Sequence, residues 1–243
     1  MIAKTRIDQL LVARGLCASR EKAQREIMAG RVTVAGQRAE KPGLKVAEDA
    51  SIELESGEKY VGRGGLKLEA ALHHFEISAK GKICLDIGAS TGGFTDCLLK
   101  HGAARVHAVD VGRGQLAWEL RNDSRVIAHE GLNARYLAPA DLGELVQICV
   151  ADVSFISLAL ILPAAFALLT EAADMIVLIK PQFELSPPKV GRGGIVRNPA
   201  FRAEAIEKIR RFVEGDGKRW LGVIESPVPG REGNVEFLAH LRR

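Results

Sequence analysis

From Lys82 onward, short apolar runs recur at strand length between helix-compatible stretches, and no other feature of the sequence restricts the possible folds as tightly. The runs are Ile83-Cys84-Leu85-Asp86-Ile87, Val106-His107-Ala108-Val109-Asp110, Val126-Ile127-Ala128, Val146-Gln147-Ile148-Cys149-Val150 and Met175-Ile176-Val177-Leu178-Ile179. Strands alternating with helices predict a doubly wound, Rossmann-like α/β domain with a mostly parallel sheet. In such sheets ligands bind beyond the carboxyl ends of the strands, where the strand order reverses. The loops after Asp86, Asp110, Asp152 and Lys180 leave those ends, so the chemistry is expected to collect there.

The first of these loops, Gly88-Ala89-Ser90-Thr91-Gly92-Gly93-Phe94, superficially matches a dinucleotide fingerprint. That pattern needs glycine where Ser90 stands, so that the backbone can approach a pyrophosphate. Asp86 would also repel a pyrophosphate, whereas it would attract the ammonium of a methionine moiety. Two unit charges ~4 Å apart interact by several kcal/mol at a protein surface. The residues therefore fit S-adenosylmethionine and not NAD. Asp110 is placed to accept hydrogen bonds from two ribose hydroxyls. The expected cofactor site comprises Asp86, Gly88, Ala89, Ser90, Thr91, Gly92, Gly93, Phe94, Asp110, Val111, Asn133 and Asp152, and no metal is expected. The alternative is a plain strand-to-helix turn in which the acids cap helices.

The methyl acceptor is narrowed by what the chain lacks. Enzymes that methylate exocyclic amines carry an Asp-Pro-Pro-Tyr type of motif after the fourth strand, where this chain has Ala151-Asp152-Val153-Ser154-Phe155. Methylation of pyrimidine carbon needs a nucleophilic cysteine, usually after proline, and the chain has no Pro-Cys. Asp152 and Lys180 remain at the strand ends, with Lys67 ahead of the sheet and Glu236 near the end of the chain.

The N-terminal part is built differently. Residues 1–46 hold ten Lys or Arg against four acids, a balance of +6, while the whole chain has a formal net charge of +4. That asymmetry points to a polyanion. Ile7, Leu10 and Leu11 recur at helical spacing up to Gly15, Ser19 can cap a second helix bearing Ala23 and Ile27, and Gly30 ends it. Arg31-Val32-Thr33-Val34 and Ser51-Ile52-Glu53-Leu54 read as partner strands. With Arg6-Ile7-Asp8, Ser19-Arg20 and Gly30-x-Val32-x-Val34-x-Gly36, the module resembles the S4 RNA-binding domain. The resemblance implies that Arg6, Arg20, Lys22 and Lys41 meet structured RNA, with Arg63 added from the junction that follows.

The remainder resembles the FtsJ family of ribose 2′-O-methyltransferases, whose hallmark is a Lys-Asp-Lys-Glu tetrad. The matching residues are Lys67 in Gly64-Gly65-Leu66-Lys67-Leu68, Asp152 in Ala151-Asp152-Val153-Ser154, Lys180 in Leu178-Ile179-Lys180-Pro181 and Glu236 in Gly233-Asn234-Val235-Glu236-Phe237. Glu232 competes for the last place; Glu236 is preferred for its apolar, strand-like context. Preceded by an S4-like module, the whole chain resembles the hemolysin A (TlyA) family, which implies methylation of cytidine 2′-hydroxyls in ribosomal RNA or ribosomal subunits. A ribose hydroxyl is a weak acid, so a positioned base must take its proton. A lysine serves if burial and a second cation depress its pKa, and Lys180 approached by Lys67 is expected to meet both conditions.

The expected division is 1–57 for the S4-like domain, 58–65 for a linker and 66–243 for the catalytic domain. Ser186 to Pro199, rich in proline, glycine and cations, reads either as a loop that closes over RNA or as a solvated connection. The rivals from other classes are a membrane-active hemolysin and a non-catalytic S4-type RNA-binding protein. The opening residues do not read as a secretory signal, and the uncharged stretch Val153 to Thr170 is broken by Pro163. A buried helix covering the sheet is expected there, in a cytoplasmic protein that does not touch membranes. Cys17, Cys84, Cys97 and Cys149 have no metal-ligand spacing and are expected to be reduced, buried thiols.

Overall fold

The computed structural model describes residues 4–55, 59–230 and 233–243, and the chain divides into two compact units, Met1–Lys59 and Tyr60–Arg243. The expected module end at Gly57 and the first linker residue, Glu58, lie outside the described residues. In the first unit β1 (Lys4–Arg6) runs into α1 (Ile7–Ala13), followed by α2 (Arg20–Met28), β2 (Val32–Val34), β3 (Gln37–Arg38), β4 (Lys45–Ala47) and β5 (Ile52–Leu54). Ser19 caps α2, its Oγ accepting from the backbone N–H of Lys22. β2 pairs antiparallel with β3 and β5, and β1 with β4. Ile7, Leu11, Ala23, Ile27 and Val32 close a small apolar core. β1, β3 and β4 were not expected, because two or three residues are too few to show an alternating pattern.

The second unit follows the order α3 (Gly64–His74), β6 (Ile83–Ile87), α4 (Gly93–Lys100), β7 (Arg105–Asp110), α5 (Trp118–Arg121), β8 (Val126–Glu130), α6 (Pro139–Leu142), β9 (Val146–Ala151), α7 (Leu162–Ala167), β10 (Leu169–Ile179), α8 (Pro181–Glu184), α9 (Pro199–Gly215), β11 (Arg219–Glu225) and β12 (Phe237–Arg242). The described residues form a seven-stranded sheet ordered β11-β12-β10-β9-β6-β7-β8. β10, β9, β6, β7 and β8 are parallel, and β12 is antiparallel to both its neighbours. This is the expected doubly wound architecture, and its order reverses between β6 and β9.

Both faces of the sheet are covered, which is why its central strands read as continuous apolar runs. On β10, Met175, Val177 and Ile179 enter one core with residues of α7 and α9. Ile176 and Leu178 enter the other, with Leu68 and Leu72 of α3 and Phe94 and Leu98 of α4. All four cysteines are buried.

Two expectations need correction. The buried helix expected over Val153 to Thr170 shrinks to α7, which starts at Pro163's turn, where the missing N–H is harmless. Leu169 already belongs to β10, whose first half is hidden in the sequence by Thr170, Glu171 and Asp174. Among the described residues no helix is long and apolar enough to cross a membrane. The expected linker is also not free from Tyr60 on. Tyr60 is buried, a Cβ at Gly65 would lie 2.2 Å from its ring, and Val61 N donates to Asp96 Oδ2 (2.9 Å). These residues are packed within the second unit.

Candidate active site

The loop after β6 turns on Gly88, whose φ of +82° is left-handed and whose missing Cβ would sit 2.3 Å from the carbonyl oxygen of Asp152. Only glycine lets the β6 and β9 loops approach so closely, and Asp152 N donates to Ile87 O (2.9 Å) across the same gap. Farther along, Ser90 N donates to Asp110 Oδ2 (2.8 Å) and Gly112 N to Asp110 Oδ1 (2.7 Å). A carboxylate has about four acceptor sites, so Asp110 keeps capacity for two hydroxyls. The resulting cleft, about 580 Å³, is lined by Gly88, Ser90, Asp110, Asn133, Asp152 and Phe155 among others. Pockets for small molecules run to roughly 300–1,000 Å³. Val111, largely exposed, forms its lip, and Asn133 Oδ1 accepts from Arg135 N (3.0 Å). Gln115 also lines the cleft and was not expected.

A second space of about 220 Å³ adjoins it, sharing Gly88, Ser90, Asp152 and Ser154. Arg63, Ala89, Thr91, Gly93 and Phe94 line this one. Gly92 lines neither; it packs against Leu116 and Leu120. Asp86, expected beside the cofactor, also lines neither. It is fully buried behind the loop, where Thr95 Oγ1 donates to its Oδ2 (2.6 Å) and its Oδ1 meets no hydrogen-bond donor among the described residues. Burial pushes its carboxyl up to about 7, the charges of Asp152 and Asp110 add to the rise, and the Thr95 hydroxyl opposes it. The Thr95 bond joins the first turn of α4 to the end of β6.

The tetrad residues gather because β9, β10 and β12 are neighbours. Val177 stands opposite Ala151 and Ile179 opposite Phe237, so the ends of β9 and β10 meet the start of antiparallel β12. Lys180 Nζ lies 2.6 Å from Asp152 Oδ1, outside hydrogen-bond alignment, and donates to Ser154 Oγ (2.8 Å). Both Lys180 and Asp152 line the second space. Lys67, on α3, donates to Glu236 Oε2 (2.5 Å), and this pair lines neither space. Glu236 Oε1 occupies the place a Cβ at Gly230 would need. Glu232 lies outside the described residues.

Several residues at the rim escaped the sequence reading. Phe155 is 90% exposed with a left-handed φ of +64°, and its ring lies 5.1 Å from that of Phe183. Such a backbone conformation costs of order 1–3 kcal/mol and persists only when its surroundings hold it. Two residues farther on, buried Glu184 pins the chain by accepting from Ser157 Oγ (2.5 Å) and Leu158 N (2.8 Å), and it also accepts from Lys208 Nζ (3.0 Å). Inside an apolar stretch, Phe155 had looked like core. The loop from Ser186 to Pro199 is stitched down by buried Asn234, which accepts from Val196 N (2.9 Å) and donates to Gly194 O (2.8 Å). Of the expected RNA-facing cations, Arg63 is exposed at the start of α3, Lys22 and Lys41 are exposed, and Arg6 and Arg20 share a carboxylate, Asp8.

The FtsJ-like methyltransferase family matches residues 60–243, and the S4 domain matches residues 5–52. The chain is 49% identical to a Bacillus subtilis protein provisionally named as the rRNA methyltransferase YqxC, over 98% of this chain and 85% of that one. It is 46% identical to the 16S/23S rRNA (cytidine-2′-O)-methyltransferase TlyA of Mycobacterium tuberculosis, over 100% of this chain and 91% of the relative. Among solved structures, a Streptococcus thermophilus protein provisionally assigned as a hemolysin has a TM-score of 0.75 at 44% identity, covering 100% of this chain and 90% of that one.

Proposed function

The chain belongs to the FtsJ-like methyltransferase family and carries an S4 domain ahead of it, and we propose that it methylates cytidine 2′-hydroxyls of ribosomal RNA with S-adenosylmethionine. The observation that carries this reading is the Lys180–Asp152 pair, 2.6 Å apart beside two adjoining spaces that share Gly88 and Asp152. A donor and an acceptor can meet there.

The residues present fit the cofactor. Asp110 has acceptor capacity left for ribose hydroxyls, Gly88 lines both spaces without a side chain, and the start of α4 offers backbone N–H groups to a carboxylate. S-adenosylmethionine, when bound, supplies a methyl group made electrophilic by its sulfonium. The chain's own task is the acceptor proton. Lys180 takes it from the 2′-hydroxyl, and Asp152 and Ser154 fix Nζ and stabilise the ammonium that results. Lys67 and Glu236 act from behind as positioning residues that tie α3 to the start of β12. The rings of Phe155 and Phe183 offer an unpaired base a surface to stack on. With ribosomal RNA as substrate, the protein would work in the cytoplasm.

The test is incubation with methyl-labelled S-adenosylmethionine and separated ribosomal subunits, followed by digestion to nucleosides and mass spectrometry. Label in 2′-O-methylcytidine is expected. Label in a base-methylated nucleoside, or none in either subunit, would contradict the reading.

A further inference from the structure

In the N-terminal unit Asp8 is 0% exposed although it carries a charge. Its Oδ1 accepts from Arg6 Nε (3.0 Å), and its Oδ2 from Arg6 Nη2 (2.9 Å), Arg20 Nε (2.9 Å) and Gln24 Nε2 (3.1 Å). The two-point contact fixes the plane of the Arg6 guanidinium, and the Nε bond restrains that of Arg20. Both arginine side chains remain open to solvent, 40% and 48% exposed. A guanidinium has five N–H groups. Most of those on Arg6 and Arg20 have no protein acceptor among the described residues.

Stability alone does not account for a carboxylate buried at this point, because well-packed apolar groups generally replace buried ion pairs without loss. What the carboxylate does provide is geometry. Two cations that would otherwise repel and move independently are held side by side. Hydrogen bonds from the arginines and Gln24 keep Asp8 well below the usual carboxylate range, so the arrangement survives at any physiological pH.

We propose that Asp8 is a positioning residue that holds Arg6 and Arg20 as a paired guanidinium fork for neighbouring phosphates of structured RNA. The proposal rests on the reading of the protein as an RNA methyltransferase. Lys22 and Lys41, exposed and without such an anchor among the described residues, add charge without fixing direction.

The test compares wild type, Asp8→Asn, the pair Arg6→Lys with Arg20→Lys, and all three changes together. Each is titrated with purified ribosomal RNA over a salt series, with cofactor affinity and thermal unfolding measured alongside. Asp8→Asn should weaken RNA binding roughly tenfold through lost preorganisation. It should also flatten the salt dependence by about one or two phosphate contacts, with cofactor affinity unchanged. The lysine pair keeps every charge and should lose as much, and the triple variant should be no weaker than either. Losses that add in the triple variant, or full RNA affinity in the lysine pair, would overturn the fork. If Asp8→Asn does not fold, the lysine pair decides alone. Failure of the wild type to bind ribosomal RNA would overturn the functional reading as well, whereas wild-type binding with unaffected variants overturns only the fork.

Discussion

Lys180 and Asp152 stand 2.6 Å apart with side chains 11% and 24% exposed; Lys67 and Glu236 stand 2.5 Å apart with side chains 9% and 4% exposed. The distances are alike and the surroundings are not, for the first pair borders the cavity and the second is sealed behind it. A lysine that exchanges a proton with a substrate has to keep one face on the cavity. A sealed pair has given up its water, and each charge then depends on the other. On the proposed reading, one lysine–carboxylate pair serves chemistry and the other rigidity.

The largest effect should come from the open pair. Lys180→Ala is expected to lower the single-turnover rate of methyl transfer by at least ~10³-fold, within the range general bases contribute. Calorimetry should find cofactor affinity within about twofold, because the role proposed for Lys180 lies with the acceptor. Unfolding should shift by less than about 1 kcal/mol, since water can reach Asp152 once its partner is gone. A large loss of stability would erase the distinction between the pairs.

The sealed pair should behave in the opposite way. Glu236→Ala leaves Lys67 buried and unpaired, and the expected cost in a urea titration is about 3–5 kcal/mol. Replacing both partners, with Lys67→Met beside Glu236→Gln, should recover much of that stability without restoring the full rate. Full activity in the double variant would show that the pair does not position the site.

Asp86 extends the comparison to a sealed carboxylate that has no cation partner among the described residues. In the folded chain it keeps its proton up to about pH 7, whereas an unfolded aspartic acid releases it near pH 4. The folded state therefore binds more protons between those values. Asp86's contribution to stability is full below about pH 4, is lost as the pH rises toward 7, and is level above it. The limit is about 4 kcal/mol across the window. Urea titrations of wild type and Asp86→Asn at several pH values should show the variant with the flatter dependence; parallel curves would remove the burial argument.

A smaller effect is expected where the two loops touch. Gly88→Ala combines a left-handed φ with a collision against the Asp152 carbonyl and should cost about 1–3 kcal/mol. It should also weaken cofactor binding in calorimetry. Gly81, left-handed but with open space around it, is the control: alanine there should leave cofactor binding intact.

Much of this site could be read from the sequence because it hangs on strand ends. Apolar runs marked β6, β7 and β9 nearly to the residue, and Asp110, Asp152 and Lys180 at the ends of β7, β9 and β10 marked which loops would meet. Less visible were features that depend on what packs behind a residue. The sequence marks Asp86 as a charge at a strand end but does not reveal that Thr95 and α4 close over it. Phe155 reads as core by composition, yet its left-handed backbone leaves it 90% exposed. Asp8 looks like an ordinary first-turn acid until Arg6, Arg20 and Gln24 are seen to converge on it.

The acceptor atom can be tested on the RNA itself. Once the methylated nucleotide is mapped, it can be replaced by its 2′-deoxy form in an otherwise identical RNA, and binding and methyl transfer measured together. Because phosphates and RNA shape carry most of the affinity, binding should stay within a few-fold of the parent while methylation stops completely. Transfer of a methyl group to the deoxy substrate would make a base atom the acceptor, and the proton-accepting role of Lys180 would have to be withdrawn.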